Sequence, residues 1–166
     1  MSTRLQERVD TIQQALEKLI ADSAKDCPIV VEGMKDFQAL EQLGIKGKII
    51  TAKTARKSLL DVAAEIERQS CSRLILLLDF DRRGEELTKR LARHLETIKI
   101  KTNLNYWKEL RALVGRDVKD IEGLPAYLQT LNRKLGRENP QSNMHIPGKS
   151  CHSARDSLGS VAQAHS

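Results

Sequence analysis

Leu74-Ile75-Leu76-Leu77-Leu78-Asp79-Phe80-Asp81-Arg82-Arg83-Gly84-Glu85 is the stretch on which the fold turns. An apolar run this short, ending on an aspartate, reads as a strand covered on both faces rather than as a helix. Past the acids, Leu87, Leu91 and Leu95 recur every four residues, the spacing of a helix with one apolar stripe. A fully apolar strand running into a helix is the unit of a parallel sheet. Parallel neighbours need crossover connections, and the crossover helices cover the faces.

The same alternation extends upstream and downstream. Pro28 precedes Ile29-Val30-Val31, a β-branched run that Glu32-Gly33 ends, which predicts a short buried strand. Phe37, Leu40 and Leu43 predict a short helix closed by Gly44 in the left-handed conformation. Ile49-Ile50 form the heart of a second strand, and Thr54 is a candidate N-cap for a helix with Leu59, Ala63 and Ile66 inward. Residues 98–104 supply a fourth strand. At the start of the chain, Leu5, Val9, Ile12, Leu16 and Leu19 lie on one helical face. Toward the end, Tyr106, Trp107, Leu110 and Val114 give one helix, and Pro125 opens another that Gly136 ends. The expected class is α/β, with about four mainly parallel strands flanked by helices on both faces and right-handed crossovers. An amphipathic helix over 1–24 leads, and the main domain with its C-terminal helices runs over 25–136. A disordered tail follows over 137–166, where Asn, Ser, Gly, Pro and His replace the periodicity. His145, His152 and Cys151 in that tail match no zinc spacing.

Composition narrows the function. No apolar run approaches the roughly 20 residues that span a bilayer, and the polar first residues are no signal peptide, so neither a membrane protein nor a secreted one is expected. Cys27, Cys71 and Cys151 stand far apart without a CxxC pair, which fits a reducing cytoplasm rather than a disulfide framework. Aromatic residues are only 3%, which argues against a sheet that binds RNA by stacking. Of 166 residues, 28 are basic and 22 acidic, giving a net charge of +6, a balance that fits equally a protein that meets polyanions and a lysine-rich solvated surface. Lys46, Lys48, Lys53, Arg56 and Lys57 form a stretch with no acid between them. A second basic group, Lys99, Lys101, Lys108, Arg111, Arg116 and Lys119, is diluted by Glu109 and Asp117.

In an open parallel sheet, ligands bind outside the carboxyl ends of the strands. Glu32 follows the first strand, Lys53 comes after the second, and Asp79 and Asp81 follow the third. Like charges gathered at one edge repel unless a cation intervenes, and a hard divalent ion such as Mg²⁺ resolves the conflict with a few carboxylates. If the segment stays extended, Asp79 and Asp81 point the same way and Phe80 points into the hydrophobic layer. Either aspartate alone reads equally as a helix cap; paired with Glu32, the metal reading is the stronger. No GxGxxG or GxxxxGK[ST] is present, which weakens a nucleotide-binding reading.

Val30-Val31-Glu32-Gly33-Met34-Lys35-Asp36, followed by Leu77-Leu78-Asp79-Phe80-Asp81-Arg82-Arg83-Gly84-Glu85, resembles a Toprim domain, the module shared by topoisomerases, bacterial-type primases, OLD-family nucleases and ribonuclease M5. The chain is most similar to the small stand-alone Toprim proteins typical of archaea, and residues 115–125 resemble the end of that family's pattern. The resemblance implies that Glu32 is the catalytic carboxylate and a metal ligand, and that Asp79 and Asp81 hold Mg²⁺, with Mn²⁺ as the alternative. It implies that Asp36 supports the site by capping the next helix, and that Lys53 and Arg82 contact phosphate. The separate tyrosine-bearing domain of topoisomerases and the zinc domain of primases are not expected here. The leading expectation is an Mg²⁺-dependent enzyme on nucleic-acid phosphodiesters, an RNA-processing nuclease similar to ribonuclease M5. RNA is favoured over DNA, with Lys46, Lys48, Lys53 and Arg56 on phosphates. The alternative is a non-catalytic metal-binding module that docks on RNA or a ribonucleoprotein.

Overall fold

The computed structural model describes residues 3–52 and 58–137. Its elements follow the order α1 (Thr3–Ser23), β1 (Ile29–Val31), α2 (Met34–Gln42), β2 (Ile49–Thr51), α3 (Leu59–Arg68), β3 (Arg73–Leu76), α4 (Arg82–Thr97), β4 (Lys101–Asn103), α5 (Asn105–Val114) and α6 (Leu124–Lys134). The strands form one sheet in the order β2-β1-β3-β4, parallel throughout. Ile29 pairs with Ile49 on one side and Ile75 on the other. β1 and β3 are thus interior, which is why their sequences are apolar without alternation.

Successive strand residues face opposite layers. Ile29, Val31, Ile75 and Leu77 pack with α1, α2, α5 and α6. Val30, Ile50, Leu74, Leu76 and Leu78 pack with α3 and α4. Each fully buried Leu or Ile contributes roughly 1.5–3 kcal/mol, and both layers hold several, so the strand ends sit on a packed platform. The C-terminal helices lie beside α1, as the hydrophobic stripes require.

Most element boundaries agree with the sequence reading, including the left-handed closure of α2 at Gly44 (φ +102°) and of α6 at Gly136 (φ +71°). Two differ. The described α3 starts at Leu59 with Ser58 as its N-cap, whose hydroxyl accepts from the Asp61 N–H, and Thr54 lies outside the described residues. β3 ends at Leu76, earlier than the apolar run does. Leu77 still donates to the Val30 carbonyl, after which no neighbour strand continues and the chain turns toward α4. The expected disordered tail falls outside the described residues from 138 on; Arg137 itself pairs with Asp10 at 3.1 Å.

Candidate metal and phosphate site at the carboxyl edge of the sheet

The chain ends β1 and β3 side by side, so the residues that follow each strand meet. Glu32 is only 6% exposed, and its Oε2 accepts the Asp79 backbone N–H at 3.1 Å. The Asp79 carboxyl is also hydrogen-bonded to the Glu32 side chain. Burial, that hydrogen bond and the charges of Glu32, Asp36 and Asp120 together push Asp79 from its ordinary 3.8 up to about 8. Asp79 therefore holds its proton at neutral pH beside Glu32, as expected of an acid that meets other acids in a part-buried site.

Asp79 is held from several sides. The indole N–H of buried Trp107 donates to the Leu78 carbonyl at 3.0 Å and the Asp79 carbonyl at 3.2 Å. The next amide, Phe80 N–H, donates to the Lys119 carbonyl at 2.7 Å. The first turn of α4 lies so close that a Cβ on Gly84 would stand 2.1 Å from the Asp79 oxygen, so only glycine fits there. Phe80 points into the core, as an extended reading required, and sits against Trp107 with ring centroids 6.5 Å apart.

Asp81 is exposed and caps α4: its Oδ1 accepts the Gly84 N–H at 2.7 Å. Asp36 does what the sequence suggested, its Oδ2 accepting the Gly33 N–H at 3.1 Å at the head of α2. Its other oxygen accepts the Glu122 N–H at 2.9 Å, from a segment far along the chain. Burial foremost raises the Asp36 carboxyl, with Asp120 and Glu32 adding to it and the two amide bonds opposing. Asp36, Asp120 and Glu122 bring ligand oxygens within 4.8 Å of one another, a set that can hold a divalent ion.

Asp120 and Glu122 were not singled out as ligands from the sequence. Their signal lay in residues 115–125, which matched the family's pattern but gave no hint of docking against α2. The donors at this edge are all oxygens, which suits a hard cation such as Mg²⁺ or Mn²⁺ and not a soft one.

The expected phosphate contacts divide by geometry. Arg82 opens α4 beside Asp81, at the acidic edge, within 3.7 Å of Glu86. Lys46 and Lys48 precede β2, so they stand at the amino edge of the sheet, away from the carboxylates. Lys48 donates to Gln69 there. Lys53 and Arg56 lie outside the described residues. A cavity of about 290 Å³ opens beside Glu32 between α3 and α4, floored by Ala52, Val62 and Leu87 and rimmed by Arg83 and Arg90.

The parallel sheet with acids after its first and third strands defines the class: this is a Toprim domain, and that family matches residues 26–104. The chain belongs to the UPF0292 family of small archaeal proteins. It is 33% identical to the UPF0292 protein of Methanosarcina acetivorans over 78% of this chain and 88% of that one. With the UPF0292 protein of Methanocaldococcus jannaschii it shares 35% identity over 80% and 98% of the two chains. A solved protein from Aquifex aeolicus superposes with a TM-score of 0.53 at 24% identity, covering 66% of this chain and 94% of that one, a likeness of fold. A Toprim domain indicates a metal-dependent role connected with nucleic acid. Among the described residues no helix is long and apolar enough to cross a membrane.

Proposed function

We propose that this protein is a divalent-metal-dependent enzyme acting on nucleic-acid phosphodiesters, an RNA-processing nuclease of the kind ribonuclease M5 represents. The observation that carries this reading is the Glu32–Asp79 pair, a buried and a part-buried carboxyl hydrogen-bonded to each other at the ligand edge of a parallel sheet. Glu32, Asp79 and Asp81 would hold Mg²⁺ or Mn²⁺, with Asp81 using the oxygen not committed to its cap. When bound, the ion supplies charge stabilisation at a phosphoryl oxygen and a more acidic water. The chain itself supplies position and proton transfer. Glu32 is the general acid/base. Trp107 and Gly84 hold the Asp79 backbone, and Arg82 contacts a phosphate oxygen. RNA is the expected polymer, and the free thiols of Cys27 and Cys71 support a reducing cytoplasm.

A second reading, a metal-holding module that docks on RNA or ribonucleoprotein without turnover, is favoured by the cap that occupies one oxygen of Asp81. The two separate in one assay, cleavage of end-labelled structured RNA and single-stranded DNA with Mg²⁺ or Mn²⁺. Wild type is expected to give metal-dependent products that Glu32→Gln lacks, while the variant keeps its affinity. Binding of RNA with no products from either polymer would replace the enzyme with the module.

A further inference from the structure

We propose that the groove between the start of α4, α5 and residues 115–119 is the track for the sugar–phosphate backbone of bound nucleic acid. This assigns phosphate contact to Lys108, Arg116 and Lys119, and it rests on the nucleic-acid reading above. The groove encloses about 620 Å³ and is lined by Arg82, Lys108, Arg111, Arg116 and Lys119, with the one carboxylate Asp81 at its end, over a floor of Trp107 and Phe80.

Three observations converge on it. The first is place. Both walls are bonded to the end of β3, through Trp107 to the carbonyls of Leu78 and Asp79 and through the Lys119 carbonyl to Phe80. A polymer in the groove therefore passes beside Asp79 and Asp81. A polymer on Lys46 and Lys48 would lie at the opposite edge of the sheet.

The second is uncompensated charge. Arg111 is answered by Glu85 at 2.8 Å, and Arg82 by Glu86 at 3.7 Å. Lys108, Arg116 and Lys119 are exposed and have no carboxylate partner among the described residues; Lys119 reaches only the Gly115 carbonyl, at 3.5 Å. Three like charges on one groove are unfavourable alone and favourable against a polyanion.

The third is order. Arg111 stacks over Trp107 with its guanidinium 5.0 Å from the ring centroid, so this wall is fixed before any ligand arrives. Trp107 is 5% exposed and offers no face for a base, so recognition is of phosphates and independent of sequence.

The test is binding of a fluorescent oligouridine by the full chain in EDTA, across a series of KCl concentrations. Removing the metal separates the groove from the carboxylate chemistry. For single strands each lost phosphate contact reduces the slope of log K against log salt by about 0.7, so Lys108→Gln/Arg116→Gln/Lys119→Gln is expected to flatten it by about 2. Affinity should fall at least about tenfold at low salt, with an unchanged melting temperature. An unchanged slope in the triple variant overturns the proposal, as does flattening by Lys46→Gln/Lys48→Gln instead. Equal, equally sensitive binding of polyglutamate also overturns it, since the groove would then serve acidic protein. Failure of the enzyme reading looks different: wild type cleaves nothing, yet the triple variant still loses oligouridine binding.

Discussion

Replacing Asp79 by Asn tests whether the carboxyls at the head of the sheet are held in conflict. In the metal-free protein Asp79 keeps its proton up to about pH 8, against an ordinary 3.8, because it is part-buried and faces Glu32, Asp36 and Asp120. The unfolded chain releases that proton near the ordinary value. The folded chain therefore binds more protons across the interval, and stability falls as pH rises from about 4, levelling off above about 8. Below about 4 both states are protonated and the effect vanishes. A tenfold change in proton concentration is worth about 1.4 kcal/mol, so a fully desolvated aspartate would cost roughly 6 kcal/mol over this range. Asp79 is part-exposed, and screening reduces the figure to about 2 kcal/mol. Asparagine keeps the shape, cannot ionise, and can donate its amide to Glu32. Melts by circular dichroism in EDTA should place Asp79→Asn about 4–8 °C above wild type near pH 8, with the gap narrowing to less than half near pH 5. Added Mg²⁺ near pH 8 should raise wild type and leave the variant unmoved. Parallel melting curves for the two proteins from pH 5 to 8 in EDTA would refute the reasoning.

Other expectations follow from the same geometry. Mg²⁺ affinity, measured by titration calorimetry, should rise by up to about tenfold per pH unit below pH 8 and flatten above it, because the ion must displace the Asp79 proton; a pH-independent affinity would place the ion elsewhere. Gly84→Ala forces a Cβ toward the Asp79 carbonyl and should destabilise by about 2–3 kcal/mol while weakening the Mg²⁺ response, checked by urea unfolding with and without the ion. Trp107→Phe strips a buried and a part-buried carbonyl of their donor and should cost about 1–3 kcal/mol in the same assay. Ser58→Ala removes the cap of α3 and should cost about 1 kcal/mol in the same urea assay.

Local patterns carried much of this protein in legible form. The apolar runs at 29–31 and 74–78 marked the two interior strands, because only a strand covered on both faces tolerates such a composition. Parallel order then placed Glu32 and Asp79 at one edge, since residues that follow parallel strands emerge on the same side. The same logic puts Lys46 and Lys48 at the other edge, for they precede β2; reading the basic run as one patch overlooked the direction of the strand. Other features depended on chain segments that meet only after folding. Asp120 and Glu122 join Asp36 because the Glu122 N–H finds its carboxylate 86 residues away, a pairing no spacing encodes. Trp107 read as one more core residue, and its role in fixing the Asp79 backbone comes from where α5 crosses the end of β3. Periodicity and strand-end residues are local properties, so the sequence alone determined the layers and the first two acids. The protonation of Asp79, the acids that surround it and the cationic groove beside it arise from contacts between distant segments, and only the tertiary structure decided them.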